Sequence, residues 1–226
     1  MRYIVLLHGL GSNKILMLPM YHYLLETHSN FKILNYQFNS IFKNINENIQ
    51  GLLAKMKQDV KHASQIIFIG HSLGGLIAKQ LAEFYHSVCD VHCITLGTPY
   101  KGAFLANFFR QHINVLDKIS PMLNNLSRKG NYIHEKTNIP HHIIIGQCKL
   151  DVKNPISWIT NLILLPFDHH DGVVELLPHD FDHVNVKTLY FVNCDHVNMI
   201  FNKQVNLILT NIIHKIVDLS IKQNIY

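Results

Sequence analysis

The sequence predicts an α/β chain: a mostly parallel sheet covered by helices on both faces. Two observations carry the prediction. Short runs of β-branched and aromatic residues, such as Ile66, Ile67, Phe68 and Ile69, show no polar alternation, as strands buried on both faces require. Between such runs lie longer segments whose apolar residues recur at helical spacing, and strands alternating with helices make a parallel sheet. With 226 residues and 48% hydrophobic content, the chain can bury a sizeable core as one domain spanning 1–226.

The elements follow in order. Tyr3 to Leu7 is the first strand, followed by a helix through about Ile15 to Thr27 and a second strand, Lys32 to Tyr36. Ser40 is placed to cap a long amphipathic helix with Ile41, Ile45, Ile49, Leu52, Met56 and Val60 on one face. The strand Ile66 to Ile69 turns directly into a helix from Leu73, in which Leu76, Ile77, Leu81 and Phe84 share a face. Val91 to Leu96 is a strand ended by Gly97-Thr98-Pro99. Two further strands, Ile143 to Ile145 and Lys187 to Val192, precede a closing amphipathic helix from Val205 to Ile221. The segments 102–131 and 152–170 are expected as cap or pocket insertions within the domain.

The net charge of +5 comes from scattered basic residues, not a stripe. That argues against a nucleic-acid groove and leaves room only for weak attraction to anionic lipid surfaces. Cys89, Cys93, Cys148 and Cys194 have no C-x-x-C spacing, and their apolar neighbours suggest buried thiols in place of a disulfide framework. The opening "MRYIVLLHGL" has too short an apolar run for a signal peptide and is interrupted by His8, so it reads as the first strand. No run reaches the ~18 to 20 apolar residues of a membrane span. A soluble, cytoplasmic protein is therefore expected.

Ligands of a parallel sheet bind beyond the carboxyl ends of its strands, and the chemically informative residues sit there. Gly70-His71-Ser72-Leu73-Gly74 fits G-x-S-x-G, a sharp strand-to-helix turn that lifts the serine hydroxyl above the sheet and crowds out side chains on either side. Serine alone is a weak nucleophile; it needs a base, and the base an orienting acid. His196, just past the last strand, is the candidate base. His183 precedes that strand and His179 lies in a proline-containing loop, both at the wrong end. Two carboxylates compete for the acid: Asp151 close behind the strand 143–145, and Asp171, where Asp-Gly makes a tight turn able to fix a carboxylate toward the histidine. Asp171 is preferred; Asp168 and Asp195 are outsiders, since Asp195 adjoins His196 and points its side chain elsewhere. "HGLGS" after the first strand supplies backbone N–H groups for an oxyanion, with Leu10 and Leu73 the expected donors.

"HGLGS", "GHSLGG", "LGTPYKG" and "DGVV" followed by His196 together span His8 to His196. On these stretches the chain resembles the α/β-hydrolase superfamily, and within it the small lipase-like and esterase-like serine hydrolases. The resemblance implies a three-layer α/β-hydrolase fold with about six sheet strands flanked by helices, lacking the two antiparallel strands that open larger members. It implies Asp171 as the triad acid, although His170 stands where such lipases carry Asn, and it matches Leu10 and Leu73 to their oxyanion residues. Some relatives hold a structural calcium near the acid. Asp168, His169 and His170 make a poor hard-oxygen site, so neither a metal nor a cofactor is expected.

The activity so implied is hydrolysis of a small-molecule or lipid acyl ester through an acyl-enzyme on Ser72. An acyltransferase would use the same residues with an alcohol in place of water, and an amidase shares the chemistry. A non-catalytic binding protein of this fold is the alternative from another class, disfavoured by the complete triad. His8 and His71 flank the expected pocket, and the apolar segment 155–167 offers Trp158 and Leu162 as an acyl-chain wall or a flap touching lipid, or else simply as core.

Overall fold

The computed structural model describes residues 1–106, 120–126, 136–147, 164, 169–175 and 180–223. Six strands form one sheet: β1 (Arg2–Leu7), β2 (Lys32–Tyr36), β3 (Gln65–His71), β4 (Asp90–Leu96), β5 (Pro140–Gly146) and β6 (Asn185–Val192). Their spatial order is β2-β1-β3-β4-β5-β6, and every neighbouring pair is parallel. The described helices are α1 (Leu18–Thr27), α2 (Ile45–Asp59), α3 (Leu73–Tyr85), α4 (Pro121–Leu126) and α5 (Lys203–Gln223), with a 3-10 turn at Asn198–Ile200 before the last.

The unbroken apolar runs have a direct cause. In β1, Tyr3, Val5 and Leu7 enter one core while Ile4 and Leu6 enter another on the opposite face. Ile66 and Phe68 of β3 divide from Ile67 and Ile69 in the same way. Helices α2 and α3 close the first core with Leu52, Met56, Ile77 and Leu81, whereas α1 and α5 close the second with Met20, Leu24, Leu209 and Ile212. Both strand faces are therefore buried, and each such side chain contributes roughly 1.5–3 kcal/mol by leaving water.

Two helix starts differ from the sequence expectation. The second helix begins at Ile45, not after Ser40: Asn44 accepts from the Glu47 N–H, and Glu47 reaches back to the Asn44 N–H, a complete capping box. Residues 39–42 are instead held by the Asn39 carboxamide, which accepts from the N–H groups of Ile41 and Phe42. The apolar spacing from Ile41 to Ile45 thus spans a turn. Helix α1 starts at Leu18, not Ile15, because Pro19 has no N–H to give and fits only the first helical turn.

Strand register fixes where chemistry can occur. Leu7 pairs with both Tyr36 and Gly70, His71 with Leu96, Leu96 with Ile144, and Gly146 with Val192. The carboxyl ends of all six strands therefore meet at one edge. Cys89, Cys93 and Cys194 are free thiols, while Cys148 lies outside the described residues. No described helix is long and apolar enough to cross a membrane.

Candidate active site

Ser72 is the turn between β3 and α3. Its φ of 54° and ψ of −122° make it the one non-glycine residue at positive φ among those described. Three hydrogen bonds hold it there: its N–H donates to the Leu96 carbonyl at 2.8 Å, while its carbonyl accepts from the Gly75 N–H at 2.9 Å and the Thr98 hydroxyl at 3.1 Å. Such strain persists only where the surroundings over-determine it. The flanking glycines answer to close approach: a Cβ on Gly74 would run into the Leu7 carbonyl, and one on Gly70 into the backbone of Gly74 and Gly75.

Asp171 and His196 meet beside this turn, both buried. His196 Nδ1 lies 2.6 Å from Asp171 Oδ2, and the two backbones are joined as well, His196 N–H to the Asp171 carbonyl at 2.9 Å. The other carboxylate oxygen, Oδ1, accepts from the N–H groups of Val173 and Val174 at 3.1 and 2.8 Å. This is a local Asx turn, and it fixes which oxygen faces the imidazole. Ser72 Oγ and His196 Nε2 are not hydrogen-bonded to each other, although both residues line one cavity of about 820 Å³.

The remaining site candidates fall out as follows. Leu10 lines the cavity beside Gly9, and Leu73 is the first residue of α3, whose N–H has no intrahelical acceptor. His71 also lines it; its Nε2–H donates to the His196 carbonyl at 2.8 Å and the rings lie 4.7 Å apart. Burial first, then the neighbouring His196, pushes the His71 pKa down to about 3, so it stays neutral beside His196. His8 is not in the cavity wall: it is wholly buried behind the Gly9–Leu10 loop. The Asp195 carboxylate accepts from Asn198 at 2.8 Å, starting the 3-10 turn, and does not face His196. His183 is buried near Tyr100, ahead of β6. Asp151, Trp158, Leu162, Asp168 and His179 lie outside the described residues. Among the described residues, no group of three or more histidines, cysteines or carboxylates is placed to hold a metal ion.

Two contributors escape a reading of the sequence. Thr98 props the strained serine from 26 positions away. Glu175, buried, accepts the Phe104 N–H with both carboxylate oxygens at 2.8 and 3.0 Å, tying the Asp171 turn to the chain that follows β4. The signals were present in "LGTP" and "DGVVE", but neither string names its distant partner. Apart from Ser12 and Asn13 the rest of the cavity is apolar, with walls from Ile15, Leu16, Leu105, Leu126, Val197 and Phe201.

Gly97 offers a test of this geometry. It sits at φ +56°, and a Cβ there would fall 2.8 Å from Asp171 Oδ2 and 2.9 Å from His196 Nδ1. Gly97→Ala is expected to lower stability by about 1–3 kcal/mol in urea melts. It should lower kcat on an acyl substrate about a hundredfold, since small displacements at a reacting centre are amplified. An alanine variant that turns over like the wild type would show that the pair needs no such cradle.

The mature form of Bacillus licheniformis lipase BlEst2 superposes with a TM-score of 0.64 at 17% identity, over 87% of this chain and 85% of that one. A putative hydrolase from Agrobacterium vitis S4 gives 0.59 at 17%, over 95% and 87%. An esterase from Pyrococcus furiosus gives 0.55 at 18%, over 95% and 81%. These likenesses carry the fold, which is the α/β-hydrolase fold. No curated protein matches the chain. The profile for palmitoyl protein thioesterase matches residues 3–151, about two thirds of the sequence and including β1 to β5 with the Ser72 turn. By that match the chain belongs to the palmitoyl protein thioesterase family.

Proposed function

We propose that this protein is a serine hydrolase of fatty acyl esters, with acyl thioesters as its preferred class. The observation that carries the reading is the buried 2.6 Å His196–Asp171 contact beside a serine held at φ 54°. In this reading Ser72 Oγ attacks the acyl carbonyl while His196 Nε2 takes its proton, and Asp171 holds the imidazole with its Nδ1–H inward. The N–H groups of Leu10 and Leu73 receive the oxyanion. The intermediate collapses to an acyl-serine as the leaving group departs with the proton from His196. Water, activated by the same base, then releases the fatty acid.

Family membership favours the thioester, and so does the chemistry. A thiol of pKa about 8.5 is a far better leaving group than an alcohol, so the proton from His196 need be less advanced toward it when the bond breaks. The apolar walls of the cavity suit a long acyl chain.

The test compares acyl-CoA thioesters with alkyl esters of the same acids, such as the monoacylglycerols, from butyryl to palmitoyl. Hydrolysis is expected to strengthen with chain length, kcat/KM rising by up to about tenfold per two added methylenes. The thioester is expected to exceed its matched ester. A folded protein that hydrolyses neither series would overturn the reading; a reversed order would leave an ester hydrolase and remove the thioester preference.

A further inference from the structure

His8 has no role in the chemistry just described, yet it is completely buried directly behind the loop that chemistry needs. Its ring stacks on Phe38 with centroids 4.0 Å apart and planes 5° apart, because β1 and β2 end side by side. The Phe38 N–H approaches Nε2 at 3.4 Å, and Nδ1 lies 2.9 Å from the Gly9 carbonyl oxygen. An N–H meets only a bare ring nitrogen, so Nε2 carries no proton. The neutral ring then bears its proton on Nδ1 and donates it to the Gly9 carbonyl. Burial holds the His8 pKa below its ordinary value, which keeps the ring in this neutral form.

The Gly9 carbonyl belongs to the same peptide unit as the Leu10 N–H. That unit is planar and trans, so its C=O and N–H point in opposite directions. With the carbonyl held against buried His8, the N–H faces away from it. Gly9 and Leu10 both line the cavity, and a Cβ on Gly9 would lie 3.2 Å from the Ser72 Cβ. We propose that His8 is the positioning residue of the oxyanion hole, its Nδ1–H fixing the Gly9–Leu10 peptide so that the Leu10 N–H faces the oxyanion formed at Ser72. The proposal rests on the serine hydrolase reading above. Glycine at position 9 sets no steric bar to a flipped peptide. A flip would present the Gly9 oxygen to the oxyanion, replacing a donor by a repulsive lone pair.

Two near-isosteric variants divide the ring's functions. Asparagine places its amide nitrogen where Nδ1 stands and keeps the donor to Gly9; glutamine reaches the Nε2 position and keeps only the acceptor for Phe38. On an acyl thioester, His8→Gln is expected to lose about a hundredfold in kcat with KM moved about threefold or less, the signature of a lost transition-state interaction. His8→Asn is expected to recover to within about tenfold of wild type. Equal kcat for the two variants, or a loss confined to KM, would overturn the proposal. So would histidine 15N NMR of the wild type showing His8 protonated at Nε2 and bare at Nδ1, a measurement that needs no variant to fold. Ser72→Ala assayed alongside separates the two claims. If it keeps activity, the hydrolase reading falls and the His8 role with it; if it is inactive while His8→Gln matches His8→Asn, the His8 role alone falls.

Discussion

Ser72→Gly is expected to abolish turnover and to make the protein more stable. The serine backbone occupies a region that L-residues rarely visit, at φ 54° and ψ −122°, and holding a Cβ there costs about 1–3 kcal/mol. Glycine removes that strain. It also gives the unfolded chain more freedom, which offsets roughly 0.5–1 kcal/mol of the gain. The net expectation in denaturant melts is a gain of about 0.5–2 kcal/mol. Loss of the hydroxyl should lower kcat by about 10⁶-fold, the scale seen when an acyl-enzyme nucleophile is deleted.

Ser72→Ala is the control that divides the two effects. It removes Oγ but keeps the Cβ at the same φ, so it should be as inactive as glycine without the gain in stability. A glycine variant no more stable than the alanine variant would mean that the turn stores no strain. An alanine variant retaining more than about a hundredth of wild-type kcat would remove Ser72 as nucleophile, since deletion of an attacking atom leaves far less.

The parts of this molecule that were legible in its sequence are those whose cause is local. Buried strands announce themselves because helices on both faces leave no polar position, and Gly70 to Gly74 because the turn itself excludes side chains. Even so, local rules compete. Ser40 and Asn44 both offer a cap, and only Asn44 has a glutamate three residues on to complete the box. What could not be read is what depends on distant partners. Thr98 meets Ser72 across 26 positions and His8 meets Phe38 across 30. Neither pair has a spacing rule, because the sheet order that joins them is a property of the whole fold. For the same reason the sequence leaves Asp151 and Asp171 as rivals: the choice depends on which turn reaches His196.

That choice gives the second large expectation, Asp171→Asn. The carboxylate faces two kinds of donor: the N–H groups of Val173 and Val174 at Oδ1, and His196 Nδ1 at Oδ2. An asparagine satisfies the two backbone amides only with its oxygen, so its NH₂ group is turned toward His196. Two donors cannot share that contact. His196 must then accept at Nδ1 and carry its proton on Nε2, the nitrogen that should take the Ser72 proton. A base already protonated at its working atom cannot act, and kcat is expected to fall about 10⁴-fold with KM little changed. Packing is nearly conserved, so stability should move by about 1 kcal/mol or less. Asp171→Ala behaves differently: it leaves two part-buried N–H groups without their acceptor and should lose about 1–2 kcal/mol in addition to activity. If Asp171→Asn keeps kcat within about tenfold of wild type, a wrong-tautomer histidine is excluded, because that defect alone exceeds tenfold by orders of magnitude. The orienting acid would then have to be sought elsewhere, with Asp151 first.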